Sequence, residues 1–525
     1  MDRLYFGGPI VTLEPEGRAE ALLVREDRIA AVGKLDALRA LAPHAEPIDL
    51  DGRALLPAFI DAHSHLSGTA NAFLQAPLDE ETTFEGVKNR IERFIRDNAV
   101  PPGKWVVGKG YDHNALAEKA HPTLALLDAA APDNPLVVQH QSGHMGVFNS
   151  RALALLGVAP DTPAPDGGRI GVEDGRLTGY MEEAAFVQYQ KRLPMPDLDA
   201  LLEAYGLAQK QYAAHGIVTV QEGMLPKQLL PIYQRLLERN LLTLDVIGYP
   251  DPASFDEAAA LFPADGAYDR NFRIGGMKIF LDGSPQGRTA WMRAPYADDP
   301  AYCGYGTMTD AQVRQALLLA ARRGVQLLAH CNGDAAAEQF LSSVRETAKT
   351  EPSLTSLRLV LIHAQLLGAD QLDAVRALGV IPSFFVAHVY HWGDVHLKNF
   401  GPARAAAISP AESALRAGIR FTFHQDTPVI EPDMLETIWC ACCRRTRTGK
   451  TLGPEQAVDP LTALSAVTIT AAYQYGEESH RGSLSAGKRA DLVLLSDNPL
   501  AAPPEQIRRI RVEETIRAGK TVFRR

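Results

Sequence analysis

Eight short apolar runs, set apart by longer segments, constrain this chain's fold more than anything else in it. They are Ala58–His63, Ile217–Val220, Leu244–Ile247, Met277–Phe280, Val325–His330, Leu359–His363, Val380–Phe385 and Phe421–Asp426. Runs of this length and composition mark strands buried on both faces. Helix boundaries are legible between several of them. Thr309 with Gln312 has the pattern of a capping box, and Gly324 stands where that helix ends. Ser409, Pro410 and Glu412 read as N-cap, N1 and N3 of another helix, closed by Gly418. Eight buried strands alternating with helices predict an α/β chain folded as a (β/α)8 TIM-like barrel. In that fold the active site lies at the carboxyl ends of the strands.

A barrel does not exhaust 525 residues, and the ends of the chain have a different texture. Ala21–Val24, the turn Arg25–Arg28 and Ile29–Gly33 have the pattern of a hairpin. The tail repeats that style in Ala490–Leu495, Val512–Ile516 and Thr521–Phe523. Residues 1–57 and 470–525 are therefore expected to meet as one small β-sandwich domain, with the barrel occupying 58–469. Residues 67–205, rich in loops, Pro and Gly, read as a long insertion after the first barrel strand.

Several classes of function are excluded by what the chain lacks. At a net charge of −10 it shows no phosphate-neutralising surface, so no nucleic-acid partner is expected. The one basic cluster, Arg444–Arg447, reads as a solvated helix end. No apolar run approaches the roughly 20 residues that span a bilayer, so no membrane association is expected. Met1–Gly8 lacks the basic and apolar regions of a secretory leader. With five cysteines, an odd number, the expected setting is the reducing cytoplasm. Cys440, Cys442 and Cys443 stand close together in an apolar stretch and read as small buried hydrophobes.

The chemistry is carried by the polar residues that end the strands. His63 and His65 alternate along a strand, so both side chains share one face. With 15 histidines in 525 residues, chance alone supplies roughly 0.4 such pairs, so the pair means little by itself. Lys278, His330, His363 and Asp426 end other strands. Each is unremarkable alone. Together they align metal-ligand residue types on one face of a barrel.

These stretches carry a family resemblance. Leu56–His65, Met277–Ser284, His330 and His363 in their strands, His424–Val429 and Gly482–Val493 together resemble the metal-dependent amidohydrolase superfamily. The likeness is to its amidohydrolase 3 branch of YtcJ-like and N-substituted formamide deformylase-like proteins, over nearly the whole chain. The resemblance implies that His63 and His65 bind the more buried metal and that His330 and His363 bind a second one where present. It implies one or two divalent metals, with zinc expected. Lys278 matches a position where relatives use glutamate or a lysine carboxylated by CO2, and a structural lysine paired with an acid is the alternative. Asp426 matches the residue that orients and deprotonates the attacking water, then protonates the leaving nitrogen. A homodimer is also implied.

The expected function is hydrolysis of a non-peptide C–N bond in a small molecule, an N-acyl or N-formyl amide. A deaminase or cyclic-amide hydrolase on the same scaffold is the alternative within enzymes, and an idle regulatory or binding protein the alternative outside them. Substrate contacts are sought in loops. Asp282, Arg288 and Trp291 follow Lys278 and read equally as simple loop anchors, and His388 and Trp392 follow the seventh strand, in a segment that reads equally as a solvated loop. In the insertion the resemblance points to His144, within Gln141–Met145, and less to His113. His424 stands where many relatives carry a small residue.

Overall fold

The computed structural model describes residues 2–141, 144–194 and 196–525. It separates into two compact units, Met1–Ser67 with Ala208–Arg525, and Gly68–Leu207.

In the first unit every one of the eight apolar runs contains a strand, and all of these strands pair in parallel. They form two ladders. One orders Phe272–Ile274, Asp245–Gly248, Ile217–Glu222 and Phe59–Ile60; the other orders Gly276–Phe280, Gln326–Cys331, Val360–His363, Ile381–Phe384 and Thr422–Phe423. A single stretch, residues 272–280, serves both ladders and is broken only at Gly275. The break demands small residues: a Cβ on Gly276 would lie 2.0 Å from the Gln326 carbonyl oxygen. Backbone bonds also join the outermost strands' ends, from Asp426 N–H to His63 O (3.2 Å) and from His65 N–H to Thr427 O (2.8 Å).

The strands are apolar throughout because they are buried throughout; all six residues of Ile217–Glu222 are inaccessible. Ile60, Ile247, Leu328, Val360, Ile362 and Ile381 pack into one core with Ala471, Ala472 and Tyr475. The last three follow from the helix Ile469–Gln474, which a boundary at 470 would give to the terminal domain. It packs with the parallel strands instead.

Both chain ends contribute to one mixed eight-stranded sheet. Its order runs Lys520–Arg524, Val512–Arg517, Leu492–Leu495, Ala54–Pro57, Arg3–Val11, Arg18–Arg25 and Arg28–Gly33, with Glu46–Asp49 also on Arg3–Val11. The sheet is continuous through its hydrogen bonds rather than two separate layers. It is fixed to the parallel strands by Asp245, whose carboxylate takes Arg481 (2.6 Å), Arg489 (2.5 Å) and Arg517.

The second unit is more regular than its Pro and Gly content predicts. It holds a six-stranded sheet in the order Gly168–Glu173, Arg176–Glu182, Met145–Phe148, Leu136–His140, Val106–Tyr111, Ala76–Pro77. Turn glycines such as Gly167 and Gly175, at φ +74° and +70°, connect strands too short to announce themselves.

Two local expectations are corrected. The capping box at Thr309 forms as read, with Gly324 left-handed after the helix. The helix expected to be capped by Ser409 starts instead at Ala411, because the Ser409 hydroxyl bonds Gln365 Oε1 at 3.1 Å rather than capping. Arg444 is not a solvated helix end. It is fully buried and donates to the carbonyls of Leu452 and Ile408, each at 2.8 Å. Among the described residues no helix is long and apolar enough to cross a membrane.

Candidate metal centre and active site

The carboxyl ends of the parallel strands bring six of the predicted side chains together. Asp426 is the hub. Its Oδ1 lies 3.4 Å from His63 Nε2 and 3.3 Å from His65 Nε2, and its Oδ2 lies 3.8 Å from His363 Nε2. The His330 ring centroid is 4.6 Å from that of His363. Lys278 Nζ is 3.3 Å from His63 Nε2 and, among the described residues, has no carboxylate within ion-pair distance. Two of these residues have left-handed backbone. His363 and Asp426 adopt φ +73° and +56°, a conformation costing on the order of 1 kcal/mol or more that persists where a site requires it.

Burial sets the charges. It pushes the Lys278 amine down to about 7. It holds His63 and His363 well below the usual imidazole value, reinforced by Lys278 at His63 and by His330 at His363. Burial alone would raise the Asp426 carboxyl, but the neighbouring imidazole of His65, with His424 and Lys278, carries it below the usual range. His63 and His363 are therefore neutral imidazoles beside an ionised carboxylate, the protonation states a divalent metal needs. Asp426 Oδ1 is buried without a hydrogen-bond partner. An orphaned anionic oxygen with two imidazole nitrogens facing it is a donor set that fits a metal.

Residues missed in the sequence aim these rings. Gln221 Nε2 donates to Ala62 O (3.1 Å) and to the Tyr475 hydroxyl (2.9 Å). Its Oε1 therefore faces His63 Nδ1 at 2.5 Å, which must donate and so leaves the Nε2 lone pair free. Gly223 makes the room: a Cβ there would lie 2.5 Å from the His63 ring. His424 bridges His363 Nδ1 (3.1 Å) and the Ser383 hydroxyl (2.9 Å). No single-chain pattern marks Gln221 or Ser383, since both look like ordinary strand residues.

The loop residues divide differently. Asp282 is buried and accepts from His330 Nδ1 (3.1 Å) and from the backbone N–H groups of Trp291 (3.1 Å), Asn332 (2.9 Å) and Gly333 (2.7 Å). Its carboxylate is saturated by protein, so it orients His330 rather than meeting substrate. Arg288 grips Asp298, with 3.1 Å from each of two guanidinium nitrogens, and anchors its own loop. Trp291 is half-buried beside it. The segment after the seventh strand is helical over His388–Ala406, with a break at Gly401, and not a loop. Its i, i+4 spacing puts His388, Trp392 and His396 on one face: His388 meets His396 at 3.1 Å and Trp392 at 4.5 Å between centroids. His144 belongs to the other unit, where it pairs with Glu183 at 3.1 Å; its neighbours Ser142 and Gly143 lie outside the described residues.

Fold and site together define a class: an α/β scaffold of parallel strands whose ends carry a His/Asp group suited to a metal. The chain belongs to the amidohydrolase family, whose model matches residues 46–523. A model of the bacterial imidazolonepropionase-like composite domain matches residues 21–45. Among curated proteins, the N-substituted formamide deformylase of Arthrobacter pascens is 30% identical, over 97% of this chain and 95% of its own. The putative amidohydrolase YtcJ of Bacillus subtilis (strain 168) is 26% identical over 100% of this chain and 99% of its own. A solved metal-dependent hydrolase from Pyrococcus furiosus superposes with TM-score 0.78 at 23% identity, covering 95% of this chain and all (100%) of that one. The chain is accordingly a hydrolase acting on carbon–nitrogen bonds.

Proposed function

We propose that this protein hydrolyses a small N-acyl or N-formyl amide, with Asp426 as the proton shuttle. The observation that carries the reading is the convergence of His63, His65 and Asp426 on one point, with Asp426 Oδ1 lacking a hydrogen bond. The name of the formamide deformylase relative supports the amide class. His63, His65 and Asp426 would hold a divalent metal, zinc by donor set, with His330 and His363 serving a second. Lys278, buried and without an acid partner, would join them as a carbamate formed with CO2. The shared stretch 272–280 and the backbone bonds between the outermost strands support closure of the two ladders into a (β/α)8 barrel.

When bound, a divalent metal supplies a Lewis acid and brings the pKa of a water toward neutrality. The chain's own residues do the rest. Asp426, ionised at neutral pH, accepts the proton of the attacking water and delivers it to the departing nitrogen. That delivery is essential because an amine leaves an amide only when protonated. Gln221, Asp282 and His424 keep the ring nitrogens aimed while the proton moves.

The test combines metal analysis with a panel of N-formyl amines and N-acyl amides. Metal-dependent turnover on the panel, with zinc in the purified protein, is the expected result. Metal-dependent turnover confined to ring deamination would move the assignment to a deaminase. No turnover after reconstitution with zinc and bicarbonate would overturn the hydrolytic reading.

A further inference from the structure

The second unit carries a histidine cluster to which the proposed reaction gives no role. Its strands Val106–Tyr111 and Leu136–His140 pair in parallel, and the register skips between Lys109 and Tyr111. Gly110 sits in that skip at φ +99°, a conformation that favours glycine. The irregularity re-aims the following residues, as bulges do. Asp112 and His113 thereby reach His140, at the carboxyl end of the neighbouring strand. His113 Nδ1 lies 3.2 Å from His140 Nε2. Asp112 Oδ1 lies 3.5 Å from His140 Nε2 and 3.9 Å from His113 Nδ1.

We infer that Asp112, His113 and His140 form a second site for a divalent transition metal, separate from the ligand set at the ends of the first unit's strands. Zinc bonds of about 2.0–2.1 Å in a tetrahedron place ligand atoms about 3.3–3.4 Å apart, and the three separations bracket that edge. Two imidazoles and a carboxylate leave one position for water or for an oxygen or nitrogen donor of a small molecule. His121 stacks on His113 at 4.4 Å and is itself fixed by the Tyr111 hydroxyl at 2.9 Å, which steadies the His113 ring.

The test counts zinc per full-length chain after chelation and dialysis against buffered zinc, for wild type, H113A, D112N, H144A and D426N. H113A and D112N should each lose one equivalent or bind it at least about tenfold more weakly, while D426N and H144A keep it. His113 and Asp112 are partly exposed, so both variants should fold, and thermal melts check that. Wild-type stoichiometry and affinity in both H113A and D112N would overturn the site. Loss of the same equivalent in H144A would overturn it too, because it would mean binding at exposed histidines. The inference does not depend on the hydrolase centre. Failure of that centre appears separately, as unchanged metal content in D426N.

Discussion

Replacing Asp282 with Asn changes one oxygen to an NH2 group and tests how His330 is aimed. Four donors converge on the native carboxylate. His330 Nδ1 and Asn332 N–H meet Oδ1 at 3.1 and 2.9 Å, and Trp291 and Gly333 N–H meet Oδ2 at 3.1 and 2.7 Å. Asn332 N–H also reaches Oδ2, at 3.2 Å, so an NH2 at the Oδ1 position loses the His330 bond, whereas one at Oδ2 faces Trp291 and Gly333 N–H and loses both. Charge-assisted bonds of this kind contribute about 1.5–3 kcal/mol each, so D282N should cost about 1.5–6 kcal/mol. If the NH2 takes the Oδ1 position, His330 also loses the acceptor that fixes its tautomer. Removing such a partner typically weakens a metal site by about 10–100-fold. Denaturant unfolding reads the first effect and competition with a chelating dye reads the second. Stability within about 1 kcal/mol of wild type, together with unchanged metal affinity, would show that Asp282 holds neither the loop nor the ring.

Three other expectations follow from the same geometry. D426N should fold, because Asn tolerates the left-handed φ of +56° at this position, yet lose about 10²–10⁴-fold in kcat as the proton acceptor disappears; kcat near wild type would remove Asp426 from the reaction. K278E supplies a permanent carboxylate, so its activity after reconstitution should not respond to bicarbonate, whereas the wild-type enzyme's should. Asp245 is held well below the usual carboxylate range by Arg481, Arg489 and Arg517, against the opposing effect of burial. A depressed folded pKa gives stability that is full above the unfolded value of about 3.9 and fades as pH falls below it. D245N should lose about 3–5 kcal/mol near neutral pH and lack this acid-induced fall, which melts across pH 3–7 would reveal.

What was legible in the sequence was what periodicity and residue type encode. The parallel strands were readable because burial on both faces forces an apolar run such as Leu359–Ile362. The candidate ligands were readable because imidazole and carboxylate ended those runs. The insertion was not, since its strands are short and its turns rich in Gly, so Leu136–His140 resembles a loop until Val106–Tyr111 lies beside it. The helix from His388 was hidden differently: aromatic and His residues at 388, 392 and 396 have helical spacing, but their polarity suggested a solvated segment. For Asp282 the sequence leaves substrate contact and loop anchoring equally open. Only the folded chain shows backbone donors from residues 291, 332 and 333 meeting it.

The orienting residues explain why the ligand types alone do not make the centre. A histidine binds metal through an unprotonated nitrogen, and each of its two nitrogens is a candidate until the other is engaged. At His63 the Gln221 oxygen engages Nδ1, and at His330 the Asp282 carboxylate does. At His363 the partner is His424, itself able to donate or accept, so the direction of that bond follows the His424 tautomer, which the Ser383 hydroxyl can meet as donor or as acceptor. If His424 Nδ1–H donates to the Ser383 hydroxyl, then His424 Nε2 accepts from His363 Nδ1–H. His363 Nε2 is then bare and faces Asp426. The reverse polarity would place a proton on that nitrogen and close it to a metal. His424 is thus a ring that relays orientation to His363.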